Sequence, residues 1–333
     1  MKTCTTFSGL LEAFFTDRLM LQRQASPNTI ASYRDTFCLL FSFAKQHLKK
    51  SPSMLTINDL DAPFIGAFLE HLEKDRGNSA RSRNARLAAI HSFFRYVALH
   101  DPMHSALIQR VLAIPSKRYD RRPIEFLSRP EIDALLEAPD QSIWAGRRDR
   151  ALLLLAVQTG LRVSELIELR CQDIVLDAGA HVHCHGKGRK ERCTPLRKEA
   201  ANVLRGWLRE YNSSSSEEPL FPNARGGSLS RDGVEYILTK HVATAREKCL
   251  SLKKKRVSPH VLRHTAAMDL LQHGVDRSVI ALWLGHESPE TTQMYLHANL
   301  KLKEQALAKT APLNVRPGRY RPSDQLLAFL KSL

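Results

Sequence analysis

The composition of this 333-residue chain excludes several classes of protein before any motif is considered. Lysine and arginine total 50 against 34 aspartate and glutamate, which gives a formal charge of +16 and a pI near 9.8. This charge indicates a polyanionic partner, of which nucleic acid is the leading candidate. The longest apolar run, ALLLLAV at 151–157, is about one third of the roughly 20 residues that a transmembrane helix needs, so no membrane span is predicted.

Two further features predict a cytoplasmic protein. Glu12 and Asp17 interrupt the first apolar stretch, which argues against a secretory signal. The six cysteines, at positions 4, 38, 171, 184, 193 and 249, form no CxxC pair and are expected to be reduced thiols.

The first part of the chain predicts a helical domain over residues 1–114. Apolar residues at helical spacing indicate helices at 7–22, from 26, at 58–74 and from 78. Ser26 suits a helix N-cap and Pro27 the first helical position that follows it.

Basic residues near the start of the fourth helix are candidate DNA contacts. They are Arg81, Arg83 and Arg86. The alternative is a charged helix end above a packed core, and the pattern alone does not decide between the two.

The next segment, PSKRYDRRPIEFL at 115–127, predicts a basic linker between two domains. Prolines flank its charges, and apolar periodicity is nearly absent. Its cations could lie along a phosphate backbone; they are Lys117, Arg118, Arg121 and Arg122.

Residues 128–310 predict a mixed α/β domain that is mostly helical. A helix is predicted for RPEIDALLEAPD. A second helix is predicted for GRRDRALLLLAVQTGLRVSELIEL, with a break near Gly160, where glycine permits a left-handed conformation. HVHCHGKGRKERCTPL, from 181, alternates around Gly-Lys-Gly and predicts a β-hairpin with a basic tip. Further helices are expected at 196–211, 230–249, 258–273, 276–284 and 288–297. The predicted fold class is mainly α in two domains, the second with a small β-hairpin sheet.

The tail, 311–333, predicts a short amphipathic helix after a proline-containing spacer. Its apolar stripe consists of Leu326, Leu327, Phe329, Leu330 and Leu333. This helix could dock on its own domain or on a neighbouring protomer.

The segment PHVLRHTAAMDLL, at 259–271, places His260 and Arg263 three positions apart. On a helix such residues share a face, and a proton-transfer group beside a fixed cation suits a phosphate. Taken alone, the stretch favours the alternative of two polar residues on a solvated helix face, which is the commoner arrangement.

Four motifs in order carry a family resemblance. They are TGLRVSELIELR at 159–170, HGKGRKER at 185–192, HVLRH at 260–264 and LGHESPETTQMYLH at 284–297. This arrangement resembles the tyrosine recombinase and integrase family, with the Xer-like, phage and transposon branch nearest. NTIASYRDTF and NARLAAIHSFFRY also resemble the helical core-binding domain of that family. The resemblance implies one active site formed by Arg162, Lys187, His260, Arg263, His286 and Tyr295.

These residue types suit DNA phosphodiester chemistry. Guanidinium groups of Arg162 and Arg263 could stabilise charge on a pentacovalent phosphorus, and Glu165, one turn after Arg162, could orient it or form only a surface ion pair. Lys187 could protonate the leaving 5′ oxygen, a role assigned on the resemblance because Lys190 and Arg189 lie beside it.

The predicted nucleophile is Tyr295, which needs a base because an ordinary tyrosine has a pKa near 10. His260 is the candidate base. His286 lies between two predicted helices. Its imidazole could bind a phosphate oxygen, or it could only form hydrogen bonds with backbone groups of the turn.

Parts of the sequence are also compatible with other functions. His181, His183 and His185 alternate on one strand and could suggest zinc, but no second ligand pair is evident. A metal-dependent nuclease would need clustered carboxylates, so no metal and no cofactor is predicted. A catalytically silent accessory factor and a type IB topoisomerase-like enzyme remain alternatives.

The expected partner is double-stranded DNA at a specific recombination site. The resemblance implies a tetramer on paired sites, either of this chain alone or with a related recombinase. Since the helical region begins near residue 7, a simple Xer-like or transposon enzyme is expected, and chromosomal, prophage and transposon roles would all use the same site.

Overall fold

The computed structural model describes residues 6–120, 124–185, 191–212 and 215–285. The chain divides into two compact units, Met1–Arg121 and Arg122–Leu333. This division falls inside the predicted linker 115–127, whose described residues lie in neither a helix nor a strand between 114 and 128. The exact domain limits remain predictions.

The first unit is helical, as its sequence predicts. Besides three short 3-10 helices, the part of it that the structure describes contains α1 (Phe7–Ala13), a π-helix (Phe14–Gln22), α2 (Pro27–Leu48), α3 (Ala62–Lys74), α4 (Ala80–Val97) and α5 (Ser105–Leu112). Ser26 is the N-cap of α2 and accepts a hydrogen bond from the Thr29 amide at 3.3 Å, with Pro27 in the first turn. The sequence did not predict α5.

The helix expected at 7–22 continues as a π-helix after Ala13. A π-helix has more residues in each turn than an α-helix, so positions five apart lie closer to one face. Phe14 and Leu19 are accordingly both about 1% exposed. Phe14, Phe37 and Phe93 pack with ring centroids 5.3–6.5 Å apart and form the aromatic centre of this core.

The second unit combines seven α-helices and a small sheet among its described residues. The elements are α6 (Arg129–Glu137), α7 (Trp144–Thr159), α8 (Val163–Glu168), β1 (Ile174–Val175), β2 (His181–His185), β3 (Glu191–Pro195), α9 (Lys198–Tyr211), α10 (Arg231–Lys248), α11 (Pro259–Gln272) and α12 (Arg277–Leu284). The mainly helical fold class with a small β-hairpin sheet is thereby confirmed. No helix of the described ranges is long and apolar enough to span a bilayer.

The sheet is antiparallel in the order β1-β2-β3. Strands β2 and β3 form the predicted hairpin, with Cys184 opposite Arg192, while the tip at 186–190 lies outside the described residues. Strand β1 was not predicted, because two residues are too few to show alternation. Val182 and Cys184 are fully buried, so this face of β2 points into the core.

Helix α7 lies at the centre of the second core. Its Leu153 and Leu155 are fully buried, and its N-terminal half carries a buried polar network. There the Asp149 carboxylate contacts His241 Nε2 on α10 at 2.8 Å and accepts a hydrogen bond from Arg148 Nη2 at 2.6 Å. This network fixes α7 to α10, because each of its charged groups is paired.

Helix α7 ends where the sequence predicts, at Gly160. This glycine adopts φ +64°, and an added Cβ would lie 2.7 Å from Leu284 Cδ2 and 3.0 Å from Ala266 Cβ. Both the left-handed backbone and the approach of α11 and α12 therefore require glycine here.

We expect Gly160→Ala to lower the free energy of unfolding of the second unit by roughly 2–4 kcal/mol, from left-handed strain and overpacking combined. Tryptophan fluorescence during urea unfolding is a suitable measurement, since all three tryptophans (144, 207 and 283) lie in this unit. The control is Gly206→Ala in α9, where an added Cβ meets nothing within 4 Å, and which should gain roughly 0.5–1 kcal/mol. Equal effects of the two substitutions would contradict this account.

Candidate active site

Helix α11 carries the predicted His-x-x-Arg pair. Ser258 caps the helix by accepting a hydrogen bond from the Val261 amide at 3.4 Å, and Pro259 occupies its first turn. His260 is exposed at the start of the helix, whereas Arg263, one turn later, is only 5% exposed. The two side chains therefore have different surroundings.

The Arg263 guanidinium is held by two backbone carbonyls. Its Nη1 donates to Gly160 O at 2.7 Å and its Nη2 to Leu284 O at 2.6 Å. These oxygens lie at the carboxyl ends of α7 and α12, where helix carbonyls lack intrahelical donors and carry partial negative charge. Arg263 thus joins the ends of two helices.

Arg162 is the N-cap residue of α8, and Glu165 is the third residue of that helix. The Glu165 carboxylate accepts hydrogen bonds from the Arg162 amide at 2.8 Å and from Arg162 Nη1 at 2.7 Å. Arg162 Nη2 donates to Gly285 O at 2.9 Å. With a side chain that is 4% exposed, Glu165 does not form the surface ion pair that the sequence left as an alternative.

A further arginine, Arg192 on β3, completes this arrangement. Its Nη1 and Nη2 donate to the two oxygens of Glu165 at 3.1 and 2.8 Å, and its Nε donates to Trp283 O at 3.2 Å. Sequence reasoning missed Arg192. No direct signal for it is present in the sequence, because its place opposite Cys184 on the inward face depends on the register of the hairpin.

Burial alone would raise the pKa of the Glu165 carboxyl. The hydrogen bond from Arg192, that from the Arg162 amide and the Arg192 charge outweigh it, so the pKa lies below its ordinary value of 4.5. Glu165 is therefore ionised at neutral pH.

Three consecutive carbonyls at the carboxyl end of α12 each accept a hydrogen bond from an arginine. Trp283 O accepts from Arg192, Leu284 O from Arg263 and Gly285 O from Arg162. We call Arg162, Arg192 and Arg263 the arginine cluster. Glu165 contacts two of these cations, so the cluster keeps a net positive charge that suits an anion such as a phosphate.

Gly285 caps α12 in a left-handed conformation with φ +63°, directly after the end of the helix predicted at 276–284. An added Cβ at this position would lie 2.6 Å from Arg192 Nη1. The remaining predicted site residues, Lys187, His286 and Tyr295, lie outside the described residues, as does the helix expected at 288–297.

His264, one turn after His260 on α11, adds no charge to the site near neutral pH. Burial, with the nearby charges of His260 and Arg263, lowers the pKa of His264 to about 4. Its imidazole is accordingly neutral under ordinary conditions.

The predicted DNA-contact residues of the first unit occupy different environments. Arg81 and Arg118 are exposed. Arg83 is 6% exposed and donates to Pro115 O at 2.9 Å, while Arg86 donates to Ser32 O at 2.9 Å.

Lys117 forms an ion pair with Glu73 at 2.7 Å and its backbone bonds to Asn84. The contacts of Arg83 and Lys117 hold the start of the linker against the first unit. Arg121 and Arg122 lie outside the described residues.

Among the described residues, which include the side chains of His181 and His183 on β2, no group of three or more His, Cys, Asp or Glu could hold a metal ion. His181 Nδ1 lies 2.7 Å from Gly179 O, and His183 Nε2 lies 3.4 Å from Glu191. Cys184 is a buried thiol whose pKa burial raises to about 12.

We expect Glu165→Gln to lower the free energy of unfolding by roughly 3 kcal/mol at pH 7, since it leaves two cations without their carboxylate. The stabilisation by Glu165 is complete above the ordinary pKa of 4.5 and is lost as pH falls through the lower folded value. The difference between wild type and variant in urea unfolding should therefore shrink below about pH 5.

The matched control is Glu210→Gln, which removes the carboxylate of the half-exposed pair with Arg147. It should have a much smaller effect. A difference at Glu165 that stays constant down to pH 3 would contradict the assignment of an ionised carboxylate.

The comparison with known proteins gives the family. The model "Phage integrase family" matches residues 125–301, and "Phage integrase, N-terminal SAM-like domain" matches residues 12–100. The protein y4rC of Sinorhizobium fredii (strain NBRC 101917 / NGR234), provisionally named as an integrase/recombinase, is 60% identical over 328 residues, 98% of each chain. Tyrosine recombinase XerC of Pelobacter propionicus (strain DSM 2379 / NBRC 103807 / OttBd1) is 35% identical over 306 residues, 91% of this chain and 96% of XerC.

Among solved structures, the XerH site-specific recombinase bound to a palindromic difH substrate, a post-cleavage complex, shares the fold. Its TM-score is 0.68 at 22% identity, covering 91% of this chain and 84% of XerH. This chain therefore belongs to the phage integrase family of tyrosine recombinases, a family of site-specific DNA recombination.

Proposed function

We propose that this chain binds double-stranded DNA at a specific site and cleaves and rejoins its strands through a 3′-phosphotyrosyl intermediate on Tyr295. The observation that carries the proposal is the fixing of Arg162 and Arg263 on the neighbouring carbonyls Gly285 O and Leu284 O. Both guanidinium groups are thus held beside the point where the chain continues to His286 and Tyr295.

The reaction conserves bond energy. The Tyr295 hydroxyl oxygen attacks phosphorus, a P–O bond to tyrosine forms, and the bond from phosphorus to the 5′ oxygen breaks. The 3′ phosphate remains on the tyrosine, and a 5′ hydroxyl leaves. Attack by a 5′ hydroxyl of the exchanged strand reverses these steps, so the proposed reaction requires neither ATP nor a divalent metal.

In this proposal the two arginines stabilise the charge on the pentacovalent phosphorus. A guanidinium has five N–H donors, and the contacts of Arg162 with Glu165 and Gly285 involve two of its terminal nitrogens. The Arg162 side chain is 30% exposed and so can be reached by a phosphate. Arg263 contributes its charge from a buried position.

Proton transfer is assigned to two residues, His260 and Lys187. His260, exposed at the start of α11, accepts the Tyr295 proton, and Lys187 donates a proton to the leaving 5′ oxygen. His286 binds a non-bridging oxygen of the phosphate.

DNA binding is supported by the charge of +16 and by the DNA-bound state of the XerH structure with this fold. Among the described basic residues named above, Arg81, Lys117 and Arg118 are exposed, and of these Lys117 is paired with Glu73. The described contacts give Arg83, Arg86 and Lys117 partners within the protein. We propose that the linker cations Arg121 and Arg122 also follow the DNA backbone.

The test traps the covalent intermediate. Wild type and Tyr295→Phe are incubated in EDTA with a pool of nicked duplexes of random sequence, and DNA that remains attached to protein in SDS is sequenced. We expect adducts with an enriched sequence from wild type and none from Tyr295→Phe, which should bind the enriched duplex as tightly.

Three other outcomes would overturn parts of the proposal. Adducts from both proteins would mean that Tyr295 is not the nucleophile. Binding without any adduct would favour a catalytically silent accessory factor. Adducts without sequence enrichment would favour topoisomerase-like action on nonspecific duplex.

We further propose a tetramer on paired sites, of this chain or with a related recombinase, in which the tail 311–333 docks on a neighbouring protomer. Removing 311–333 should leave binding to a single site unchanged and abolish the paired-site complex, as measured by mass photometry. Docking in trans also requires that urea unfolding of the DNA-free protein stay unchanged. A lower unfolding midpoint would show docking on the tail's own domain.

A further inference from the structure

Arg192 is a largely buried cation that the reaction described above does not use. Its side chain is 12% exposed, compared with 30% for Arg162. It lies on β3, five positions after Lys187 in the sequence, and its side chain points to the inward face of the hairpin, opposite the buried Cys184. A charge in such a place requires partners, and its partners indicate its role.

All three nitrogens of the Arg192 guanidinium donate hydrogen bonds to the protein. Two go to the two oxygens of Glu165 at 3.1 and 2.8 Å, and the third goes to Trp283 O at 3.2 Å. A bidentate contact of this kind restrains both the position and the plane of a carboxylate.

Glu165 in turn holds Arg162. The oxygen Oε1 accepts from Arg162 Nη1 and from Arg192 Nη1, while Oε2 accepts from the Arg162 amide and from Arg192 Nη2. The orientation of the Arg162 guanidinium consequently depends on a carboxylate whose own plane Arg192 restrains.

The absence of a side chain at Gly285 leaves space for the Arg192 guanidinium. A side chain at Gly285 would bring a Cβ to 2.6 Å from Arg192 Nη1 and 3.1 Å from its Cζ. The same Gly285 supplies the carbonyl that binds Arg162. Arg162 and Arg192 are thus fixed against one helix end and one carboxylate.

We propose that Arg192 is a positioning residue for DNA cleavage: it holds Glu165, and through Glu165 it orients Arg162 towards the scissile phosphate. The inference rests on the proposed function and adds a residue to it. We assign Arg192 no direct contact with the phosphate, because its side chain is less exposed than that of Arg162 and all three of its nitrogens already donate to protein acceptors.

The first test measures the rate of adduct formation at saturating DNA with the duplex enriched above. Arg192→Lys, which keeps the charge but loses the bidentate contact, should slow the rate by about 100-fold. DNA affinity should change by less than about twofold, because Arg192 is not a DNA contact. Arg192→Gln, which also loses the charge, should be slower still.

The matched control is Arg147→Lys. Arg147 makes a comparable bidentate contact with Glu210 on α9, at 2.6 Å through both Nε and Nη2, but it lies at the N-terminal end of α7, opposite the end that Arg263 contacts. Its rate should stay within about twofold of wild type.

A double-mutant cycle separates positioning from general damage to the fold. If Arg192 acts through Arg162, adding Arg192→Lys to Arg162→Lys should slow the reaction by less than about twofold further. Multiplication of the two single effects would overturn the inference, because it would mean that Arg192 acts independently.

The second test needs no catalysis and so separates this inference from the proposed function. In DNA-free protein labelled with ¹⁵N-arginine, Arg192→Lys should lower the order parameter of the Arg162 Nε–H bond and leave that of Arg148 unchanged. An unchanged Arg162 order parameter overturns the positioning role even if wild type forms the adduct. A lowered one supports it even if Tyr295 forms none.

Discussion

The carboxyl end of α12 is the feature on which the rest of the candidate site depends. Its last carbonyls, those of Trp283, Leu284 and Gly285, accept hydrogen bonds from three guanidinium groups that come from distant parts of the chain. Such carbonyls have no donor within their own helix and lie at the negative end of its dipole. The same contacts therefore satisfy the helix end and place three cations close together.

Close cations repel one another, and the structure offsets this repulsion in two ways. Glu165 supplies a full negative charge in contact with Arg162 and Arg192, and Gly160 O adds a second helix-end carbonyl to Arg263. The compensation is incomplete, so positive charge remains and is oriented before any anion arrives. Preorganised charge of this kind is an effective way to stabilise charge that develops during a reaction.

Local features of this arrangement could be predicted from the sequence, and long-range ones could not. The N-cap at Ser26, the helix ends at Gly160 and Gly285 and the spacing of Arg162 and Glu165 are each determined within one turn of chain. The contact of Arg192 with Glu165 depends instead on the register of β2 and β3 and on how that hairpin packs. No short pattern contains that information.

The same distinction explains the basic residues of α4. A helical pattern gives the spacing of Arg81, Arg83 and Arg86 but not the surface that covers them. The carbonyl of Pro115, which lies beside α4, accepts a hydrogen bond from the buried Arg83, while Arg81 stays exposed. The short α5 was missed for a related reason, because eight residues give little periodicity and Ile108 and Val111 are buried by long-range packing.

Two glycines determine how closely the helix ends approach one another. Gly160 ends α7 and leaves room for the Leu284 side chain to pack against it. Gly285 ends α12 and leaves room in the same way for Arg192. A side chain at either position would move α12 away from its neighbours, and hydrogen bonds of 2.6–2.9 Å to Arg263 and Arg162 leave little room for such a shift. The arginines are therefore positioned by close packing between helices, and a phosphate that binds there would not first have to order them.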